Sequence, residues 1–356
     1  MPSTDLMWGD VADQVISTLP DYGPVDYHNI AGLHDYETWR KMMRKHKMEM
    51  NGGLNWKRTV QIKHSDSARW RGVYGKDEFK FADVMADLSV DLRVIQGTTP
   101  INMLDIAANT GKAQIRPRQK SLLEASAQAL MEKIELTAWA LPSSSSATDA
   151  LYGPPHWAPL PTSQVTLTDD SSSGFTGGDP PGFTGGAANL PVATTAHWNS
   201  YADIFASVDM DDFVARFAKA AWEVDFETPT ELSSMATGGE SVCYTVYSMQ
   251  RALEVLARQQ NDQVGYNVGG ERNKMMLFGL PVKALKSIAA QSYASRQPLW
   301  LVNWGAMKTI YRSGWFMKTI VKDVSDDCLT KAIHKFMCFN WVCIDRKRLA
   351  CLAKAA

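Results

Sequence analysis

The sequence is short of the features that usually announce a chemistry. Its five cysteines (Cys243, Cys328, Cys338, Cys343 and Cys351) are odd in number and form no CxxC. They read as reduced thiols, not as a disulfide framework or a zinc ribbon. No apolar run approaches the roughly 20 residues that a membrane-spanning helix needs. The N-terminal MPSTDLMWGD lacks the basic-then-apolar order of a signal peptide, so a cytoplasmic product is expected. There is no GxxxxGKS/T phosphate loop and no GxSxG nucleophile elbow. A formal net charge of −1 gives no global pull toward nucleic acid or anionic lipid.

What is present is ordinary globular material in generous amount. The 356 residues are 45% apolar and 21% charged, enough for one elaborate domain or two ordinary ones and too apolar for wholesale disorder. Twelve Trp and seventeen Met are many. Side chains of this size and adaptability suit either a large core or extensive contacts with other copies.

The clearest element runs from Arg118 to Leu141. It contains no Gly or Pro and is rich in Ala, Leu, Glu, Gln and Lys. Leu123, Ala127, Leu130, Ile134, Ala138 and Leu141 recur at steps of three and four, while Glu124, Gln128, Glu132 and Glu135 fall off that stripe. Pro117 and Pro142 bracket the run. A long helix with one apolar stripe needs a sheet or a neighbour along it, so it reads as a spine.

Around this spine the charge is unevenly spread. Residues 1 to 39 hold no Lys or Arg but seven acids, and read as an extended arm with a short helix near Asp10 to Thr18. From Arg40 to Lys76 there are eleven basic residues against Glu49 and Asp66. That block is either a solvated face or one half of a basic–acidic contact. Alternation in it predicts strands at about 54–64 and 69–81, joined by the turn at His64 to Ser67 and laid against something else. Val84 to Ile95 and Ile101 to Ile106 read as further strands, although the spacing of Asp83, Asp87 and Asp91 also permits a helix.

Beyond the spine, residues 142 to 200 are rich in Ser, Thr, Gly and Pro and carry a repeat, Gly174–Gly178 and Gly182–Gly186, both GFTGG. Helices are expected at Asp211–Val224 and Val246–Gln260. Strands are expected at Val242–Val246, Leu277–Val282, Leu299–Asn303, Trp315–Val321 and Phe336–Ile344. Helices and strands do not alternate as βαβ units, so the class is α+β.

The order of these parts resembles a known family: acidic arm, basic hairpin, strand, spine helix, glycine-rich insertion, late strands. With Asn303-Trp304-Gly305, Gly314-Trp315-Phe316-Met317 and Phe339 to Arg348, it is similar to the major capsid proteins of tailed bacteriophages, the Hong Kong 97-type fold. In one branch of that family a Trp-Arg-Asn follows the glycine loop; here Trp198-Asn199 lacks the arginine. The resemblance implies an N-terminal arm (1–50), an extended hairpin loop (51–81), a peripheral domain with the spine (82–141, continued by about 307–337) and an axial domain (142–306, continued by about 338–356). It further implies a non-enzymatic virion protein, made in the host cytoplasm, that forms hexamers and pentamers of an icosahedral shell around double-stranded DNA. A portal and a separate scaffolding protein would be its partners, since little room precedes the spine for a built-in scaffold. A bacterial nanocompartment shell of the same fold is the nearest alternative, and a soluble carbohydrate-active or binding protein a more distant one.

Within that frame Trp56, Arg58, Arg69, Trp70 and Arg71 are the candidate residues for contact with a neighbouring subunit. Asp83, Asp87 and Asp91, or the arm, would receive the charges. A nucleic-acid strand could also use that aromatic–basic mixture. His334, Cys338 and Cys343 lack the fourth ligand and tight pairing of a zinc site. No catalytic residue, cofactor or metal is expected.

Overall fold

The computed structural model describes residues 36–45, 47–61, 70, 84–102, 118–144, 151–167, 173–193, 195, 197–224, 241–260, 275–323 and 330–355. In chain order the strands are β1 (Lys47–Met50), β2 (Asn55–Gln61), β3 (Met85–Asp91), β4 (Arg93–Asn102), β5 (Tyr201–Phe205), β6 (Ser241–Thr245) and β7 (Met276–Leu277). They continue with β8 (Leu280–Ala284), β9 (Leu299–Asn303), β10 (Met307–Arg312), β11 (Lys318–Asp323), β12 (Thr330–Cys343) and β13 (Leu349–Lys354).

The spine helix spans Arg118–Ala138, about 32 Å at 1.5 Å per residue. It lies along β4, where Gly97 makes the approach possible: a Cβ there would sit 3.0 Å from the Leu130 side chain. Leu130, Ile134 and Ala138 are buried, as their stripe requires, and Leu122 near the start of the helix is exposed. Glu135 departs from expectation. It is fully buried, and its carboxylate accepts the Thr38 and Trp39 amides at 3.2 and 3.0 Å. Those amides open a helix, Glu37–Lys45, that composition had hidden inside the arm. A carboxylate at a helix N-terminus is favourable because the first amides have no partner within their own helix.

Two sheets carry the rest. The first has the order β1-β10-β12-β11, with β4 also pairing β12; β1 and β10 are parallel and the other pairs antiparallel. Its long member is β12, fourteen residues, paired with β11 and β4 in its first part and with β10 at its end. The sequence showed only the apolar end of this strand, because Thr330 to Lys335 alternate with charge. β12 runs unbroken through residues 337 and 338, where a domain boundary was expected.

The second sheet has the order β5-β13-β9-β6-β8-β7. Its central strands read LACLA, LWLV and VCYT and are buried on both faces, which accounts for apolar runs without alternation. The helix Ala215–Val224 packs on β5 and β13, and the helix Tyr247–Gln260 packs on β8. The sheets are joined twice at one place: by the turn from β9 to β10, and by residues 344–348 between β12 and β13. The Ile344 amide donates to the Ala306 carbonyl at 2.9 Å and ties the two connections together.

The tryptophans belong mostly to the core. Trp139, Trp157, Trp300, Trp304 and Trp341 are among the largest fully buried side chains. The Trp139 ring lies 5.4 Å from Tyr244 and 5.6 Å from Trp300. Among the described residues only Trp70 and Trp222 are exposed tryptophans.

Candidate assembly surfaces

β2 and β3 form an antiparallel hairpin, with Asn55 opposite Asp91 and Gln61 opposite Met85. The strand expected at 69–81 lies outside the described residues apart from Trp70; the partner of β2 is β3. Alternation then sorts the candidates. Trp56 lies opposite Val90, and all three of Trp56, Leu88 and Val90 are buried in the subunit's own core. The Trp56 ring is thus committed to the core of its own chain, and because neighbours in a strand face opposite ways, Lys57 lies on the other face. Arg58 is half-buried on the Trp56 side.

The outer face of the hairpin is polar. Asn55 Nδ2 donates to Asp91 at 2.8 Å, Ser89 Oγ to Asn55 Oδ1 at 2.9 Å, and Thr59 Oγ1 to Asp87 at 2.7 Å. Asp87 and Asp91 therefore face outward, each with one oxygen engaged inside the hairpin, and away from Arg58. Trp70 is fully exposed, and Arg69, Arg71 and Asp83 lie outside the described residues.

Sequence reasoning missed a second exposed group around the β5–β13 sheet. Trp222 is 76% exposed, Met276 67% and Phe278 60%. Phe278 and Gly279 turn β7 into β8 with φ of 48° and 78°, and the Phe278 ring stacks at 6.0 Å on Phe217. Trp222 was legible: it falls off the helical face made by Phe213, Phe217 and Ala220. An open depression of ≈ 420 Å³ lies between Val208 and Ser248, Arg251 and Val255 of the Tyr247–Gln260 helix.

Three buried charge clusters hold the frame behind these surfaces. Glu37 accepts from Lys283 Nζ at 2.8 Å and also pairs with Arg40. Arg216 reaches Asp203 at 2.9 Å and Asp212 at 2.5 Å, joining β5 to the helix that follows it. Burial pushes the Asp203 carboxyl up, against the Val165 amide and Arg216, which favour its charged form. Arg346 is bonded differently, through backbone carbonyls. Its guanidinium donates to the carbonyls of Trp157 (2.8 Å), Trp198 (2.9 Å) and Gly178 (2.8 Å), one from each of three separate segments. Burial lowers its pKa to about 10. A guanidinium thus stands beside Trp198 after all, supplied from the far end of the chain.

The glycine repeats allow close packing. A Cβ on Gly174 would lie 2.0 Å from the Tyr201 ring, and one on Gly177 would lie 2.1 Å from Ser200 Oγ. His334 and Cys338 are four residues apart on β12, about 13 Å, and Cys343 falls on the opposite face. Burial pushes the Cys243 thiol up to about 12. Among the described residues, no three His, Cys, Asp or Glu are grouped to hold a metal ion, and no helix is long and apolar enough to cross a membrane.

The sequence matches no protein-family model and no curated protein. The fold, in contrast, is similar to solved shells over nearly the whole chain. The capsid asymmetric unit of cyanophage A-1(L) superposes with a TM-score of 0.63 at 13% identity, covering 96% of this chain and 98% of that one. The capsid of a native GTA particle gives 0.59 at 12%, covering 94% and 96%. The holo-SrpI encapsulin complex of Synechococcus elongatus gives 0.54 at 8%, covering 97% and 94%. At such identities the path of the backbone is what is shared, and by that path the chain has the α+β fold of tailed-phage capsid subunits, the Hong Kong 97-type fold.

Proposed function

We propose that this chain is a shell-forming structural protein: the major capsid subunit of a tailed phage, without catalytic activity. The observation that carries the reading is the fold match to capsid subunits over almost the full length of both chains. The exposed apolar side chains Trp70, Trp222, Met276 and Phe278 add support, since large apolar groups left in water mark surfaces that a partner covers. In this reading the hairpin loop and arm tie each subunit to its neighbours, and the two sheets set its curvature. Many moderate contacts in a closed hexamer or pentamer add up to a stable icosahedral wall. The wall would enclose double-stranded DNA, and a scaffolding protein and portal would direct its assembly in the host cytoplasm.

A nanocompartment shell is the second reading, favoured by the likeness to the encapsulin. Expression of the chain alone and with its neighbouring genes, followed by size-exclusion chromatography and negative-stain microscopy, tests both. Closed shells are the expected product, and a stable monomer under every co-expression condition overturns the proposal. Shells that package duplex DNA support the phage reading, and shells filled with one enzyme support the compartment.

A further inference from the structure

The glycine-rich segment 173–193 has almost no regular structure, only a single bridge between Ala187 and Leu190. It is held by scattered bonds. Gly174 donates to Glu223 at 3.0 Å, Gly177 to the Ser200 carbonyl at 2.9 Å, and Gly178 accepts from Arg346. Its main apolar anchor is Phe183, whose ring meets His156 at 4.7 Å and Tyr152 at 5.8 Å. The segment in turn supports the hairpin, since the Ser89 amide donates to the Ala188 carbonyl at 3.0 Å.

His156 is fully buried on the one-turn helix Pro154–Trp157. Its ring stacks on Tyr152 at 4.1 Å and 9° and meets Trp157 edge-on at 5.1 Å. Among the described residues neither ring nitrogen has a hydrogen-bond partner. The charge that acts on it directly is cationic. Arg346 comes from the crossover between β12 and β13, and Arg93 of β4 lies over the Tyr152 ring at 5.8 Å with its guanidinium 3.4 Å from the Tyr152 hydroxyl. The glycine-rich segment brings Phe183 to the ring, and its Asp179 acts on Arg346. Cys343, on β12, is a buried thiol beside Arg346.

We infer that His156 is an acid-sensitive latch on the glycine-rich segment. A protonated ring would be a second cation in a buried aromatic cage, with two N–H groups and no acceptor among the described residues. Of the groups around the ring, Tyr152 and Trp157 belong to its own turn and Arg346 to the doubly tied crossover. Phe183 belongs to an irregular segment, so lifting Phe183 is the smallest motion that hydrates the ring.

The direction of the pH effect follows from linkage. Burial, then the nearby Arg346, hold the His156 pKa well below its ordinary 6.5. Full closure is therefore present above about pH 6.5, the unfolded value, and weakens as the pH falls below it, because the open form binds a proton that the closed form does not. The open fraction grows up to tenfold per pH unit. This property belongs to the subunit and does not depend on the shell reading.

The test is hydrogen exchange on the full chain at pH 7.5, 6.0 and 5.0, expressed as protection factors, for wild type and for His156→Phe, which keeps an aromatic ring but takes no proton. We expect protection of 173–193 to fall about tenfold per unit below pH 6.5 in wild type and to stay level in the variant. The same decline in both proteins, or none in wild type, overturns the latch. If the variant does not fold, the wild-type pattern decides. Loss confined to 151–158 and 173–193 supports the latch, and equal loss across β6, β9 and β13 refutes it.

Discussion

Arg346 gives the sharpest energetic prediction. The side chain is fully buried and engages the carbonyls of Trp157, Trp198 and Gly178. Arg346→Met keeps the bulk and strands those acceptors. Each unpaired buried acceptor costs about 1–3 kcal/mol, so the three together cost about 3–9. Against this, the folded state no longer has to dehydrate a guanidinium, which returns several kcal/mol. We expect a net loss of about 2–4 kcal/mol. At about 2.1 cal/mol/K of unfolding entropy per residue, that lowers the melting temperature of a chain this size by roughly 3–5 °C.

Arg346→Lys separates charge from geometry. It keeps the cation, but one ammonium on a flexible stem cannot reproduce a planar fork aimed at three segments. Its loss should be at least half that of Arg346→Met. Urea unfolding followed by tryptophan fluorescence reads the difference, with near-UV circular dichroism as a local probe because two of the three acceptors are tryptophans. An Arg346→Met protein within about 0.5 kcal/mol of wild type would show that those carbonyls find other partners and that the fork does not hold the three segments.

Other perturbations address other links. Glu135→Ala should cost about 2 kcal/mol and abolish hydrogen-exchange protection at Thr38 and Trp39, while the amides of β6 and β9 stay protected; intact protection at Thr38 would remove the capping role. Trp222→Ser and Phe278→Ser should leave unfolding within about 0.5 kcal/mol of wild type and raise the concentration needed for assembly by about tenfold or more. Light scattering reads that threshold, and an unchanged value would mean these groups stay solvent-exposed in the assembly. Reversal of Arg58, Arg69 and Arg71 to Glu should weaken or block assembly of a folded subunit, as judged by circular dichroism and microscopy; normal shells from that variant would sink the charge-pairing idea.

Much of the frame was legible in the sequence because periodicity reports burial. The spine and the two later helices follow from apolar spacing, and β6 and β9 from short continuous apolar runs. What the sequence concealed was long-range partnership. Glu135 read as a solvent-facing residue because its partners, the Thr38 and Trp39 amides, lie nearly a hundred positions away. The first half of β12 was lost for a related reason: lysines on a half-buried strand look like surface until a helix is laid over them, as where Lys335 donates to the Leu123 carbonyl at 2.9 Å. Strand geometry also sorts residues that adjoin in sequence, with Trp56 turned into the core and Lys57 turned out. The glycine repeat told nothing of its own use, since that depends on Tyr201, which opens the strand it meets, and on Ser200 just before it.

The paired connections between the sheets have a mechanical consequence. A single strap between two plates lets one swivel about the other. Here two straps run side by side, clasped by the bond from Ile344 to Ala306 and, at the second strap, by the Arg346 fork. Any twist of one plate would have to shear both at once. A torque applied at the Phe278 edge should therefore be transmitted to the β11 edge with little lost between them. Elastic give would then have to reside outside the two plates.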